Sequence, residues 1–360
     1  VPTPQQILER LKSVQYPGFS RDIVSFGVVK DIEVGSDGVT VTMAPSTAKE
    51  EVVLQLDAAI RTAIADMPDL PGPVTIVREA APAAQGVRRG PQAIPGIPTV
   101  LAVASGKGGV GKSTVATNLA LALANMGRRV GLMDADVYGP SIPLMLGITE
   151  KAQSGEGRRL IPIERHGLRV ISMGLFVGED TPIIWRGPML TKLITEFLRN
   201  CEWGELDILV MDLPPGTGDV QLTLTQQVPI TGGVIVTTPQ DVALADVRRG
   251  IQMFRQCNAP VLGLIENMSF HLCPGCGTRA DLFGHGGGAA MAREMGLPFL
   301  GEVPLSRAVR EAGDRGLPIV AADPSSPQAR AFHEIAERVL VQLTETGRRA
   351  ATPSGLNVVS

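Results

Sequence analysis

The chain has 360 residues, 44% of them hydrophobic, with a formal net charge of −3. That length is material for two or three domains with sizeable cores. A slightly acidic chain with only 4% aromatics has neither the basic surface nor the stacking platforms of a nucleic-acid binder, and no apolar run reaches the roughly 18 residues of a membrane span. With a polar, helix-like start in place of a secretory signal, the expectation is a cytoplasmic protein with no nucleic-acid and no membrane partner.

Ile7, Leu8, Leu11 and Val14 follow helical spacing. Residues 26–34 alternate as a strand, Gly35-Ser36-Asp37-Gly38 turns the chain, and 39–43 form a second strand. Ser46 or Thr47 caps the next helix, whose buried stripe is Val52, Val53, Leu56, Ala59, Ile60 and Ile64, and 74–77 close the unit as a strand. The result is a small α-β-β-α-β domain over 1–78. Residues 79–97 are rich in Ala, Pro, Gly and Arg with no period, so they read as a flexible linker with Arg88 and Arg89 as solvated charges.

From residue 98 to 345 strands and helices alternate. Strands are expected at 100–104, 129–133, 168–172, 206–211, 233–237, 261–265 and 299–302, and helices at 112–126, 188–200, 220–227, 242–256, 288–295, 306–315 and 328–344. The strands are near-continuous apolar runs, as expected where helices cover both faces of a sheet. The fold class is therefore α/β, a doubly wound, mainly parallel sheet with ligands at the carboxyl ends of its strands. Residues 346–360 read as a disordered tail.

The most informative stretch follows the first of these strands: Gly106-Lys107-Gly108-Gly109-Val110-Gly111-Lys112-Ser113-Thr114. Strand, glycine-rich turn and helix make a phosphate loop, in which backbone N–H groups and a helix N-terminus converge on anionic oxygens. Lys112 reaches the β/γ-phosphates of ATP and Ser113 completes a Mg²⁺ shell. Asp134-Ala135-Asp136 ends the next strand; Asp136 is the expected water-positioning residue, with Asp134 supporting it. The apolar strand ending at Asp212 has the Walker B arrangement, and Gly216 and Gly218 in the loop toward Asp219 let it approach a γ-phosphate. Lys107 is a second lysine that a simple phosphate loop does not need. It serves either as an accessory contact in its own chain or as a group reaching a partner subunit's nucleotide.

Four cysteines in so long a chain are not a disulfide framework. Cys273 and Cys276 form the one close pair; Cys201 and Cys257 fall at predicted helix ends away from it. Two thiolates supply half of a four-ligand site, and the simplest completion is the same pair from a second chain. A redox disulfide, or a zinc site completed by His271 or His285, remains an alternative. The Asn267 amide has the donor and acceptor needed to read a base edge. His166 and His333 read as structural.

The loop from Lys107 to Thr114, the Asp134-x-Asp136 pair and the segment Asp212-Leu213-Pro214-Pro215-Gly216-Thr217-Gly218-Asp219 resemble the deviant-Walker ATPases related to MinD, ParA and nitrogenase iron protein. Asn267-Met268-Ser269 followed by Cys273-x-x-Cys276 narrows the resemblance to the Mrp (ApbC-like) iron–sulfur cluster carriers, over about residues 98–345. The small domain, with Arg21-Asp22-Ile23-Val24-Ser25, is similar to an iron–sulfur-assembly domain often fused to them. The resemblance implies slow ATP hydrolysis in a homodimer and Lys107 contacting nucleotide across the dimer. It also implies a [4Fe–4S] cluster bridged by Cys273 and Cys276 of both chains, taken from an assembly scaffold and passed to apo iron–sulfur proteins. Where the small domain often carries Cys-Pro, this chain has Pro45-Ser46-Thr47-Ala48, and 1–78 contains no cysteine. Recruitment or regulation is the role expected of it. The contrasting hypothesis is a spatial-organisation ATPase of the MinD or ParA kind, which needs a basic amphipathic C-terminal helix to reach a membrane. The stripe Phe332, Ile335, Val339, Leu340 and Leu343 fits docking on the sheet instead.

Overall fold

A computed structural model describes residues 1–17, 22–25, 27–44, 50–65, 67–78, 93–137, 139–155, 159–176 and 187–351. Arg21, Phe26, the 45–48 segment with Ser46 and Thr47, linker residues 79–92 with Arg88 and Arg89, and 352–360 lie outside the described residues, as does the Asp219 side chain. The chain divides into two units, Val1–Arg89 and Gly90–Ser360.

In the first unit Thr3 and Gln6 cap helix α1 (Pro4–Leu11) reciprocally: the Gln6 N–H donates to Thr3 Oγ1 at 3.3 Å and the Thr3 N–H donates to Gln6 Oε1 at 2.8 Å. Strand β1 (Val29–Gly35) pairs antiparallel with β2 (Gly38–Met43), and helix α2 (Glu50–Ala65) leads to β3 (Val74–Arg78), parallel to β2. Val39, Val41 and Met43 alternate with half-buried neighbours, so one face of β2 meets Ile7, Leu11, Leu56, Ile60 and Ile64. The α-β-β-α-β order is the one expected from the sequence.

The second unit runs β4 (Val100–Ser105), α3 (Lys112–Asn125), β5 (Val130–Asp134), α4 (Ile142–Met145), β6 (Gln153–Ser154), β7 (Leu160–Ile161), β8 (Ile163–Arg165), β9 (Leu168–Ser172), α5 (Gly187–Arg199) and β10 (Ile208–Asp212). It continues with α6 (Asp219–Gln227), β11 (Gly232–Thr237), α7 (Asp241–Gln256), β12 (Val261–Leu272), β13 (Arg279–Ala280), α8 (Gly287–Met295), β14 (Phe299–Leu305), α9 (Arg307–Asp314), α10 (Ile319–Ala322) and α11 (Pro327–Ala351). The sheet order is β13-β12-β11-β4-β10-β5-β9-β8, with β14 also on β12. All pairings in it are parallel except β8 with β9 and β12 with β13. Along β4, Leu101 and Val103 enter one core layer with Leu119 of α3 and Phe332 and Ile335 of α11, while Ala102 and Ala104 enter the other with Phe197 and Phe254. Strand alternation thus feeds two layers from one apolar run.

Three expectations need correction. Ile94 and Ile97, placed in the linker, are buried in the second layer, and the Leu206 N–H donates to Gly96 O at 2.9 Å, because two isoleucines at the end of a polar run gain by packing. Helix α11 continues through Ala351 where a tail was expected from 346, since Arg and Ala are good helix formers. Strand β12, expected to stop at 265, reaches Leu272, so the segment from Asn267 to Phe270 is strand and the cysteines begin where it ends. The α11 stripe docks as anticipated: Phe332, Ile335 and Val339 are buried and Leu340 and Leu343 pack on the same core. No helix among the described residues is long and apolar enough to cross a membrane.

Candidate nucleotide and thiolate site

The phosphate loop joins the carboxyl end of β4 to α3. Gly106 passes so close to α7 that a Cβ would sit 2.5 Å from the backbone carbon of Asp246. Gly111, with φ of 78°, begins α3 with no side-chain cap, and a Cβ there would overlap the Asn267 amide. The first N–H groups of α3 are therefore left for an anion. Lys107, Gly108, Gly109, Gly111, Lys112, Ser113, Thr114 and Asp136 line a cavity of about 300 Å³ over this loop, and Val110 is buried beneath it. The Ser105 hydroxyl donates to Lys107 O at 2.9 Å, and Lys107 has no carboxylate at ion-pair distance among the described residues.

Parallel pairing puts Asp212 of β10 level with Asp134 of β5. Lys112 Nζ donates to Asp212 Oδ1 at 2.6 Å and Ser113 Oγ donates to Asp212 Oδ2 at 2.6 Å. Burial pushes the Asp212 carboxyl above the usual carboxylate range, with the Lys112 ammonium pulling against it. Asp136 is 8% exposed; its Oδ2 is 3.8 Å from Lys112 Nζ, and its Oδ1 is buried without a hydrogen-bond partner. Asp134 has a different task. It accepts from Asp136 N at 3.1 Å, Ile142 N at 3.3 Å and Ser172 Oγ at 2.9 Å, so it holds the turn that presents Asp136. Burial first, and the Asp212 carboxylate second, push Asp134 up to about 7. Gly216 N donates to Ser105 O at 3.0 Å, bringing the Asp212–Asp219 loop against the root of the phosphate loop. Ser113, Asp212 and Asp136 are hard oxygen donors, and the orphaned Asp136 oxygen is the kind of group a Mg²⁺ shell satisfies, so the residues present fit that ion.

A second cavity, of about 240 Å³, shares Gly111, Thr114 and Met145 with the first and extends past Asn267, Met268 and Pro304. Its size and position beyond the phosphate loop suit a nucleoside. Asn267 does more than face it: Nδ2 donates to Val110 O at 2.8 Å, so the amide braces the loop itself. A depression of about 690 Å³ beside Pro260, Leu297 and Glu345 lies at the amino ends of β12 and β14, away from this chemistry.

Cys273 and Cys276 occupy the tip of a hairpin made by β12 and β13, in which His271 pairs with Ala280 and Leu272 with Arg279. The turn is closed by Cys273 N donating to Thr278 O at 3.0 Å and Gly277 N donating to Cys273 O at 2.8 Å. Cys276 is exposed, and the Thr278 hydroxyl, 3.1 Å from its sulfur, draws its thiol below the usual range, with the Thr278 N–H and Cys273 adding to the effect. His271 is tied to Leu305 O at 3.2 Å, and His285 lies 3.4 Å from Asp281 and 3.2 Å from Arg279. Among the described residues no three His, Cys, Asp or Glu side chains converge as a metal set. Cys201 is buried, with burial pushing its thiol up to about 12, and Cys257 ends α7. His166 faces Gly316 O and His333 faces Ala329 O, as structural histidines do.

Sequence reasoning found the loop, its carboxylates and the thiols, but missed Ser172, Asp246, Glu266, Ser269 and Thr278. Thr278, two residues past Cys276, and the Glu266–Ser269 pair, three residues apart in β12, are local; Ser172 reaches Asp134 from 38 positions along the chain.

A glycine loop between strand and helix, with a carboxylate ending the neighbouring parallel strand, defines a P-loop NTPase. The family model described as NUBPL iron-transfer P-loop NTPase matches residues 96–340, and the chain belongs to that family. The model of an iron-sulfur cluster assembly protein matches residues 4–74. An iron-sulfur cluster carrier protein of Aquifex aeolicus is 44% identical over 363 residues, covering 95% of this chain and 98% of that one. The structure of a nucleotide-binding protein in complex with ADP from Archaeoglobus fulgidus is 38% identical, with a TM-score of 0.58, covering 66% of this chain and 93% of that one. The cell division ATPase MinD of Pyrococcus furiosus, 22% identical with a TM-score of 0.51 over 68% of this chain and 98% of its own, shares the fold.

Proposed function

We propose that this chain is an ATP-dependent iron–sulfur cluster carrier. Its cargo, a [4Fe–4S] cluster, is held between Cys273 and Cys276 of two copies and passed from an assembly scaffold to apo-proteins. The observation that carries the reading is the thiol pair at the end of β12, half-buried Cys273 and exposed Cys276, on the strand whose Asn267 also grips the phosphate loop. Two thiols on one turn supply half of a cubane's ligands, and a second copy supplies the rest.

ATP lies with its phosphates over the loop, bound by the backbone N–H groups at the start of α3 and by Lys112, and with its nucleoside in the cavity beside Asn267. Ser113, with Asp212 and Asp136, would hold Mg²⁺, which when bound would supply charge neutralisation to the phosphates. Asp136, fixed by Asp134, orients the attacking water. Lys107, half-exposed on the loop, reaches the nucleotide of the second copy. Hydrolysis is coupled to cluster loading or release, and the 1–78 domain serves recruitment or regulation. Free thiols fit a reducing compartment, the cytoplasm in this reading.

Anaerobic reconstitution of the full chain with iron and sulfide tests it. The expected result is about one cubane cluster per two chains, lost in Cys273→Ser. Stoichiometric zinc without iron after anaerobic isolation, or full iron and sulfide in the variant, would overturn the assignment.

A further inference from the structure

The nucleotide loop and the cysteine hairpin are both attached to β12, and the strand is irregular between them. From Asn267, bonded to Val110 O, the strand passes through Met268 at φ of 55°, a left-handed conformation costly for a non-glycine residue. Against β14 the register shifts here: Asn267 pairs with Val303 and His271 with Leu305, so four steps of β12 oppose two of β14. The extra residues form a bulge that is clasped from inside. Ser269 Oγ donates to Glu266 Oε1 at 2.6 Å, and the Gly288 N–H at the start of α8 donates to Glu266 Oε2. Glu266 and Ser269 are both fully buried. Two residues past His271, the strand delivers Cys273.

We propose that the bulge from Glu266 to His271 transmits nucleotide occupancy to the thiol hairpin, with Glu266 and Ser269 as its positioning residues. This rests on the carrier reading above. A bulge is a place where a strand changes twist and aim, and Met268 stores strain that a second arrangement would release. Nucleotide entering beside Gly111 and Met268 presses on the Asn267–Val110 contact, and the Glu266–Ser269 clasp decides whether that displacement is absorbed or carried along the strand. The hairpin responds because β12 runs from the bulge directly into it. Neither clasp residue lines the nucleotide cavities or supplies a thiol, so loosening the clasp separates coupling from binding.

The test uses the full chain in two forms. In the thiol form, without cluster, amide hydrogen exchange across residues 266–280 is compared with and without MgADP. Slower exchange in the wild type, and loss of that change in Ser269→Ala at unchanged nucleotide affinity, is the expected pattern. In the reconstituted form, transfer of iron to a ferrous chelator is timed with and without MgATP; a nucleotide effect of about fivefold or more is expected to shrink toward one in Ser269→Ala. An unchanged nucleotide effect in the variant overturns the proposal, and so does a wild-type hairpin whose exchange ignores nucleotide. Failure of the carrier reading shows itself separately, as a wild-type chain that holds no cluster while the exchange result still stands or falls alone.

Discussion

Lys112 Nζ lies 2.6 Å from Asp212 Oδ1, and both side chains are buried: in the proposed function, the lysine assigned to phosphate is paired with the carboxylate assigned to the Mg²⁺ shell. On that proposal, nucleotide binding would exchange this contact for contacts to phosphate. Lys112→Ala is expected to abolish nucleotide binding and to destabilise the second unit by about 3 kcal/mol, because a buried carboxylate loses its partner. Adding Asp212→Asn restores most of the stability and none of the binding. Calorimetric titration with MgADP and urea denaturation read the two effects apart.

Asp136 lines the phosphate cavity with one buried oxygen left unpartnered, and its backbone N–H is held by Asp134. Asp136→Asn keeps the shape and removes the charge. Single-turnover hydrolysis of ATP is expected to fall about a hundredfold, with MgADP affinity falling much less. A variant that hydrolyses at the wild-type rate would remove Asp136 from the chemistry.

Asp134 provides a pH signature. Its folded value, pushed up to about 7 from an ordinary 3.8, means that the folded chain holds this proton more tightly than the unfolded one. Its contribution is neutral below the unfolded value, becomes progressively unfavourable through the interval, and is fully unfavourable above about 7. Stability therefore falls as pH rises across that window, and Asp134→Asn flattens this part of the profile. Denaturation midpoints measured at several pH values check the slope.

The four thiols should react in a definite order. Cys276, exposed and drawn down by Thr278, is expected to be alkylated first, and Cys201, pushed up to about 12 by burial, last. Thr278→Ala slows labelling of Cys276 by a few-fold without changing Cys201. Mass spectrometry of partially alkylated anaerobic protein gives the order directly.

Much of the fold was legible because its signals are local. Apolar strand runs, helical stripes and a glycine loop between β4 and α3 each depend on neighbours within a few residues, and the expected alternation is the one observed. The failures share a cause. Ile94 and Ile97 look like linker until the core beside them exists, and β12 looks finished at Ile265 because Glu266 and Asn267 are polar. Those polar groups are tolerated inside a strand only because Ser269, Gly288 N and Val110 O are there to bond them.

By itself the sequence determined the chemistry on offer: a phosphate loop, carboxylates at two strand ends and a pair of thiols, each set by residue types at short spacing. Only the tertiary structure decided how these groups are shared out. Register between β5 and β10 turned Asp134 inward as a support and left Asp136 facing the cavity. The length of β12 tied Asn267 at the phosphate loop to Cys273 at the hairpin. Such assignments depend on distances between segments as many as 157 positions apart, and no local pattern encodes them.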